Sequence, residues 1–363
     1  MPNSTGNSFR MVPRSSHNLR TARTDPLMHH SPVTLGRHVI EEEHRHHPTT
    51  GELSRLLLQV AFVAKILARE IGRAALVGQL GLVGEKNATG DSQKKLDVFA
   101  NNTAVEAFAE TGLVAGMVSE ELEQVKQIAT GAQAKYWLYT DPLDGSSNTD
   151  TNGSMGTIFG IYRSSPTDRS EQPPLLRKGS EQVVAGYVLY GTSTMLVYTS
   201  GHGVNGFTLD RELGEFLLSH QDIKCPQRGR YYSANLGHYY DWSPGVRKFI
   251  DYVEESDPTT GRPLGLRYSG ALVADVHRIL VDGGIYLYPP DAAHRDGKLR
   301  LTYECAPLGF VVEQAGGRAN TGRGRILDIE PKSIHERAPL AIGSVNDVLL
   351  YEKFFSEALG ATG

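Results

Sequence analysis

The chain has 363 residues, enough for two or three domains at roughly 150 residues each, and its 37 Lys and Arg against 41 Asp and Glu give a net charge of −4. This near-neutral balance excludes a global attraction to nucleic acid or to anionic membranes. No apolar run approaches the roughly 18 residues of a membrane span, and the two cysteines are too few for a disulfide scaffold and favour a reducing compartment.

The first 48 residues differ from the rest of the chain. They are rich in Ser, Asn, Arg and His and show no apolar periodicity, so we expect a disordered tail. Two alternatives stay open. The basic, acid-poor start is also typical of a transit peptide, and the histidines at 29, 30, 38, 44, 46 and 47 could bind a metal.

The first half of the body predicts helices and then strands. A capping box at residues 49–52 is expected to start a helix that ends near Gly72, and a second helix is expected over 97–110. Strands are predicted at 113–118, 136–139, 157–162, 183–190, 195–198, 207–209 and 216–218, with a surface loop at 164–182.

The pattern restarts after residue 222. Strands are predicted at 230–234, 285–288 and 338–342, and helices at 244–254, 270–282, 302–315 and 346–358. The chain is therefore expected to be α/β with two layered domains, 49–222 and 223–363.

The strongest chemical signal is the string TDPLDGSSN at 140–148, which follows an apolar strand. Pro142 stiffens the turn, so the carboxylates of Asp141 and Asp144 and the carbonyl of Leu143 can face one point. Hard oxygen ligands of this kind suit Mg²⁺ or Mn²⁺. Backbone N–H groups of Gly145, Ser146 and Ser147 follow at a predicted helix start, where they could hold a phosphate oxygen.

Further acidic residues accompany this string. They are Glu120 and Glu121 at the end of a predicted strand, Asp91 and Asp97 around two lysines, and Glu304 early in a helix. Taken singly, Glu120 and Glu121 are also explained as a solvated strand end, and Glu304 as a charge near a helix start. Two carboxylates at about 5 Å repel by about 3 kcal/mol at an effective dielectric of 20, and a divalent cation reverses that effect.

Longer sequence motifs are more specific to one protein family. They are GDSQKKLDV at 90–98, VSEE at 118–121, GTIFGIYR at 156–163, RYSG at 267–270, VADVHR at 273–278, GGIYLYP at 283–289 and KLRLTYEC at 298–305. Together they resemble class I fructose-1,6-bisphosphatase, within the lithium-sensitive, metal-dependent sugar phosphatase superfamily. The resemblance covers residues 49–345 and leaves the tail outside.

This resemblance implies a layered αβαβα sandwich, a homotetramer and removal of the 1-phosphate from fructose 1,6-bisphosphate in gluconeogenesis or a carbon-fixation cycle. It also implies a metal site: two or three Mg²⁺ ions held by the side chains of Glu120, Glu121, Asp141, Asp144 and Glu304 and the carbonyl of Leu143. Asp97 and Glu121 would help activate the attacking water, Asp91 would lie on a mobile loop, and Arg300 would lie near the metals.

The resemblance further implies two ligand sites. The substrate would contact Asp144, Gly145, Ser146, Ser147, Asn235, Tyr268, Tyr288 and Lys298, and Arg267 would reach in from a neighbouring subunit. Inhibitory AMP would contact Thr50, Gly51, Glu52, Leu53, Ser54, Lys135, Tyr136 and Arg163. One departure concerns His238, where the family usually has Tyr; Tyr239 could substitute for it, so the affinity for the 6-phosphate is the property in question.

Alternative functions and the location complete the predictions. A broader phosphatase that also takes sedoheptulose 1,7-bisphosphate, or a non-catalytic sugar-phosphate or AMP sensor, remains open. The 164–182 loop has no cysteine, which argues against the redox control of plastid forms and favours the cytoplasm. No nucleic-acid or membrane partner is expected.

Overall fold

The computed structural model describes residues 32–46, 51–86, 92–129, 134–164 and 175–360. The predicted fold class is confirmed: helices and two main β-sheets stack as a layered α/β sandwich. Three apolar clusters fill the spaces between successive layers.

Three helices form the outer layer on one side. They are α1 (Leu35–His46), α2 (Glu52–Ile71) and α3 (Lys95–Ala109). Their apolar faces pack on the large sheet through buried residues such as Val39, Leu56 and Ala100. Apolar side chains at helical spacing in α2 form this face, as the sequence predicts.

The large sheet has eight strands in the order β10-β9-β8-β7-β6-β5-β3-β4. In chain order these are β3 (Val114–Ser119), β4 (Lys126–Gln127), β5 (Tyr136–Asp144), β6 (Met155–Arg163), β7 (Gln182–Tyr190), β8 (Thr194–Thr199), β9 (Asn205–Asp210) and β10 (Glu215–His220). Both faces are covered, because Phe159 packs toward the outer helices while its neighbour Ile158 packs on the opposite side. Only the β3–β5 pairing in this sheet is parallel.

Two helices lie between the large sheet and a smaller one. They are α5 (Leu272–Asp282) and α6 (Ala306–Gln314). Val276 of α5 and Val311 of α6 pack with Ile158 of the large sheet and Ile342 of the smaller sheet in one cluster. The start of α5 and the turn before α6 therefore lie at the edge of the large sheet where the acidic residues are found.

The smaller sheet has five strands in the order β12-β11-β13-β17-β15. In chain order these are β11 (Tyr231–Ser233), β12 (Gly265–Leu266), β13 (Gly284–Tyr288), β15 (Arg318–Asn320) and β17 (Leu340–Gly343). Helices α4 (Pro244–Glu254) and α7 (Val345–Gly360) cover its far face, where Phe249 and Tyr351 pack on Ile285 and Leu287. Alternation along β13 sends Tyr286 to the middle layer instead.

Two short antiparallel pairs complete the described strands. One is β1 (Leu82–Lys86) with β2 (Ser92–Lys94), and the other is β14 (Leu299–Arg300) with β16 (Arg337–Ala338). The sequence predicted none of the described strands β1, β2, β4, β12, β14 and β15.

The predicted disordered tail is wrong over Leu35–His46, which forms α1. Leu35 and Val39 are buried in the core, and Thr34 bridges to Leu217 of β10. These tertiary contacts stabilise a segment whose composition is polar and rich in histidine. The earlier tail residues, and with them the transit-peptide alternative, lie outside the described residues.

The predicted capping box does not start α2. Thr49 and Thr50 lie outside the described residues, and the helix begins after Gly51, which has positive φ and makes no side-chain cap. Glu43 of α1 replaces it, because its carboxylate accepts the backbone N–H of Ser54 at 3.2 Å and also the Ser54 hydroxyl. The N-terminus of α2 is therefore capped from another helix.

The predicted helix over 302–315 is two elements. Leu301–Cys305 forms a π-helical turn, called the π-turn below, and α6 follows at Ala306. Likewise, the helix start expected after Asp144 is a short 3₁₀ helix, Ser146–Thr151. The remaining predicted helices and strands are confirmed with shifts of a few residues at their ends.

The predicted domain boundary at 222/223 stays a prediction; the last strand of the large sheet ends at His220, and the smaller sheet begins at Tyr231. In the described part of the chain, no helix is both long enough and apolar enough to cross a membrane.

Candidate active site

Two acidic residues meet at one edge of the large sheet because β3 and β5 run parallel. Ser119 pairs with Thr140, so the next residues, Glu120 and Asp141, lie side by side. The backbone N–H of Glu120 donates to the carbonyl of Thr140 at 3.2 Å, which fixes the end of β3 against β5. The sheet register itself therefore brings the first two carboxylates together.

Glu304 of the π-turn completes a three-carboxylate group. One ligand oxygen from each of Glu120, Asp141 and Glu304 lies within 4.8 Å of the others, a spacing that could hold a metal ion. Asp141 and Glu304 are buried, with 2% and 7% of their surfaces exposed. We call these three residues the acidic cluster.

The electrostatics of the acidic cluster favour a bound cation. Burial, followed by the nearby carboxylate of Glu120, raises the pKa of both Asp141 and Glu304 well above the usual range. Buried like charges are costly unless a counter-charge lies among them. The donor set of carboxylate oxygens fits a hard divalent cation such as Mg²⁺ or Mn²⁺.

Asp144 has a different environment from Asp141, although only Pro142 and Leu143 lie between them. Its two oxygens accept backbone N–H groups at the start of α5, from Leu272 at 3.2 Å and Val273 at 2.7 Å. Burial raises the pKa of Asp144 to about 6, against the lowering effect of these hydrogen bonds. Asp144 therefore joins the turn after β5 to α5, and its predicted role as a metal ligand stays a prediction.

Asp97 lies at the start of α3 and lines the same cavity as the acidic cluster. Its Oδ2 accepts the backbone N–H of Lys94 at 2.8 Å, whereas its Oδ1 is buried without a hydrogen-bond partner among the described residues. Burial raises the pKa of this carboxyl. One oxygen is thus fixed by the backbone and the other is available to a ligand or a water.

The cavity has a volume of about 420 Å³. Of the predicted catalytic, metal and substrate residues, it is lined by Asp97, Glu120, Glu121, Asp141, Leu143, Asp144, Gly145, Ser146, Ser147, Tyr268, Tyr288, Lys298, Arg300 and Glu304. Positive charge from Lys298 and Arg300 thus faces the same space as the carboxylates. The cavity can take a small polyanion together with cations.

Three other predicted residues are not in this lining. Asp91 lies outside the described residues. Asn235 caps a short 3₁₀ helix through its side-chain oxygen, and the Arg267 guanidinium lies 5.2 Å from the ring centre of Tyr231. Because the prediction for Arg267 involves a neighbouring subunit, its role stays a prediction. Tyr239, the suggested substitute near His238, donates to Asp251 at 2.5 Å.

Part of the predicted AMP set also comes together. Lys135 Nζ lies 2.6 Å from Glu52, the Tyr136 hydroxyl lies 3.4 Å from the same carboxylate, and the Arg163 guanidinium lies 5.5 Å from the Tyr136 ring centre. Gly51, Leu53 and Ser54 lie in the adjoining first turn of α2, and Thr50 lies outside the described residues.

The cavity lining includes residues that the sequence interpretation missed. They are Leu82, Lys94, Gly270, Leu272, Tyr286 and Leu299. Tyr286 could have been found, because it stands two residues before Tyr288 on one strand and alternation places both on one face. Lys94, whose ammonium lies 2.8 Å from Asp150, carried no separable signal within its lysine pair.

Comparisons with known proteins agree with this geometry. Residues 33–221 match the family model "Fructose-1-6-bisphosphatase, N-terminal domain", and residues 225–356 match the corresponding C-terminal domain. A class 1 fructose-1,6-bisphosphatase of Acaryochloris marina is 57% identical over 331 residues, covering 91% of this chain and 99% of that protein. One from Chlorobium luteolum is 51% identical over 324 residues, covering 89% and 97%.

A solved structure is similar throughout. Fructose-1,6-bisphosphatase of Leishmania major in its holo form is 40% identical, covers 90% of this chain and 99% of that chain, and superposes with a TM-score of 0.84. The family model starts at residue 33, so the match includes α1, which the sequence interpretation had placed outside the resemblance. On the combined family matches and identities, the chain belongs to the class I fructose-1,6-bisphosphatase family.

Proposed function

We propose that this chain hydrolyses the 1-phosphate ester of fructose 1,6-bisphosphate with Mg²⁺ as its cofactor, Mn²⁺ being an acceptable substitute. The observation that carries the proposal is the acidic cluster, which opens into the same cavity as Asp97 and Lys298. Carboxylates for cations, one free carboxylate oxygen and a phosphate-binding ammonium are the groups that phosphomonoester hydrolysis needs. Family membership supports the same substrate.

The acidic cluster would hold the cations, with Glu121 and Asp144 as the further predicted ligands. When bound, divalent cations lower the pKa of a water and neutralise charge on the transferring phosphoryl group. Asp97 Oδ1, which is buried and has no partner in the described part of the chain, would accept the proton that this water loses.

Other groups would hold the substrate. Gly145 has φ of 74°, and a Cβ at this position would stand 2.6 Å from the Ala271 Cβ, so only glycine permits this close approach of the turn to α5. The backbone N–H groups of Ser146 and Ser147 follow this turn and would donate to phosphate oxygens. Lys298 would bind phosphate as a point charge, Tyr268 and Tyr288 would donate through their hydroxyls, and Arg300 would add charge near the cations.

AMP inhibition is part of the proposal. Supporting it are the basic and aromatic side chains of Lys135, Tyr136 and Arg163 beside Glu52. Glu43 already accepts the Ser54 N–H at the start of α2, so an AMP phosphate binding to this turn would have to displace a carboxylate. The change Glu43→Gln would therefore increase the inhibition by AMP.

One assay tests the function. Phosphate release from fructose 1,6-bisphosphate is measured with Mg²⁺, with Mn²⁺ and with a chelator, and then with millimolar AMP. We expect turnover only with a divalent cation and a lower rate with AMP. Release that ignores metal would overturn the proposed chemistry, and a rate unaffected by AMP would overturn the inhibition alone. Equal rates on sedoheptulose 1,7-bisphosphate would show the broader specificity, and no release from either sugar would favour a sensor.

The setting of the activity is proposed from the cysteines and from the family. The two cysteines, Cys225 and Cys305, are free and buried, which supports a reducing compartment such as the cytoplasm. A homotetramer and a role in gluconeogenesis or carbon fixation are inferred from the family. Analytical ultracentrifugation of the purified chain tests the tetramer.

A further inference from the structure

The segment Ile334–Glu336 runs beside the π-turn and contacts three consecutive residues of it. The Leu301 N–H donates to the Glu336 carbonyl at 2.8 Å, and the Thr302 hydroxyl donates to the Ile334 carbonyl at 2.7 Å. The third contact joins two side chains, the Tyr303 hydroxyl and His335 Nδ1, at 2.9 Å. The residue that follows in the π-turn is Glu304 of the acidic cluster.

His335 also reaches the segment that carries the other carboxylates. Its Nε2 lies 3.3 Å from the carbonyl oxygen of Glu123, which follows Glu120 and Glu121 on the loop after β3. The His335 imidazole thus contacts Tyr303, which precedes Glu304, through one nitrogen. Its other nitrogen contacts Glu123, three residues after Glu120.

The partners fix the direction of both hydrogen bonds. A carbonyl oxygen only accepts, so His335 Nε2 carries the proton and donates to Glu123. In the neutral imidazole Nδ1 then accepts from the Tyr303 hydroxyl, and burial lowers the His335 pKa, which favours the neutral form. Tyr303 is fully buried, with 0% of its surface exposed, so its hydroxyl depends on this acceptor.

We propose that His335 is a positioning residue for the divalent-cation site, setting the separation of Glu304 from Glu120 through Tyr303 on one side and the Glu123 carbonyl on the other. The proposal rests on the proposed function, because it needs a cation to be bound. Its physical reason is that carboxylates without a cation repel one another and move apart unless the chain holds them. Groups that orient metal ligands in this way set the metal affinity.

The chain offers a matched control. Tyr187 of β7 and His277 of α5 form the same kind of pair: the Tyr187 hydroxyl lies 2.8 Å from His277 Nδ1. Their ring centres are 5.9 Å apart at 78°, against 5.8 Å and 74° for Tyr303 and His335. Tyr303 directly precedes Glu304, whereas neither Tyr187 nor His277 is next in the chain to a residue of the acidic cluster, so loss of the control pair should change stability without changing the spacing of the carboxylates.

The test is calorimetric titration of the chelator-treated protein with Mn²⁺, together with metal-free thermal unfolding. We expect Tyr303→Phe to weaken Mn²⁺ binding about tenfold, with little change in KM for the substrate. Tyr187→Phe should change the affinity for Mn²⁺ less than twofold. The two variants should lose similar thermal stability, because each loses one buried hydrogen bond.

Variants of His335 separate the two links. His335→Asn keeps an acceptor for Tyr303 and loses the reach to Glu123, whereas His335→Gln keeps a donor for Glu123. Each should weaken Mn²⁺ binding, and both are available if Tyr303→Phe does not fold. Because the links act in series, Tyr303→Phe combined with His335→Asn should bind only slightly more weakly than the weaker single variant.

The outcomes distinguish the two proposals. If the unmodified chain binds Mn²⁺ and the Tyr303 and His335 variants bind it equally well, His335 has a purely structural role and the positioning proposal is overturned. If the unmodified chain binds no divalent cation, the proposed function is overturned and the positioning proposal with it.

Discussion

Two glutamates on one short stretch of chain have opposite surroundings. Glu304 of the π-turn faces the carboxylates of Glu120 and Asp141, and burial with Glu120 raises its pKa well above the usual range. Nine residues later, Glu313 of α6 meets Arg325, whose Nε and Nη2 donate to its carboxylate at 2.8 and 2.6 Å. The same guanidinium also donates to Asp328 at 2.8 Å.

The contrast separates an acidic residue whose counter-charge lies within the chain from acidic residues that we propose to bind a cation. At Glu313 the chain supplies its own cation, so the pair is complete and needs nothing from solution. Six carboxylates line the active-site cavity against three cationic side chains, Lys94, Lys298 and Arg300, so a cation from outside would make the burial of the acidic cluster more favourable.

The largest effect is expected from Asp141→Asn. Losing one carboxylate from the acidic cluster should lower kcat by about 10³-fold, because several kcal/mol of transition-state stabilisation depend on the bound cations. The same change should raise the metal-free free energy of unfolding by about 1 kcal/mol, since it relieves repulsion among buried charges. Phosphate release and urea unfolding in a chelator measure the two quantities; a variant that loses both activity and stability would contradict the repulsion.

Asp97→Asn should have the next largest effect. The amide keeps an acceptor for the Lys94 N–H but cannot take a proton, so we expect kcat to fall about 10²-fold with KM nearly unchanged. Metal binding should be retained, which calorimetric titration can check. A kcat within threefold of the unmodified chain would remove Asp97 from proton transfer.

Asp347 provides a third type of buried carboxylate, held by the Gly229 N–H at 2.8 Å. Burial raises its pKa from 3.8 to about 6, so it favours folding when protonated. Its contribution is fully present below the unfolded value and is lost as pH rises through the folded one. Relative to Asp347→Asn, the free energy of unfolding should fall by about 2 kcal/mol between pH 4 and pH 6; equal pH profiles would refute this.

Glu313→Gln should have the smallest effect. It removes a partly exposed ion pair with Arg325, so we expect the free energy of unfolding to fall by about 1 kcal/mol with kcat unchanged. Denaturant unfolding and the phosphate assay check it. A large loss of turnover would place Glu313 within the catalytic machinery and blur the contrast with Glu304.

The meeting of Glu120 and Asp141 could be predicted from sequence because local rules determine it. Each follows an apolar strand, and parallel strands end at one edge. The different environment of Asp144 could not be predicted from the sequence. Its hydrogen-bond partners, the N–H groups of Leu272 and Val273, lie almost 130 residues away along the chain. The spacing of two aspartates on a turn does not show which of them accepts hydrogen bonds from a distant helix.

Helix α1 illustrates the same limit in the fold. Its sequence is polar, and its stability comes from contacts made only in the folded chain, such as Glu43 with Ser54 and the Tyr198 hydroxyl with Glu42 at 3.0 Å. The π-turn could not be predicted either, because its apolar pattern is the same as that of an α-helix. Its distinguishing contact, Tyr303 with His335, joins residues 32 positions apart.

We propose that the acidic cluster binds a divalent cation, whereas the Glu313–Arg325 pair does not. Thermal unfolding of the unmodified chain, Glu304→Gln and Glu313→Gln, each with chelator and with saturating Mg²⁺, tests it directly. We expect Mg²⁺ to raise Tm by about 5 °C in the unmodified chain and in Glu313→Gln, with no rise in Glu304→Gln. An equal rise in all three proteins, or none in the unmodified chain, would contradict it.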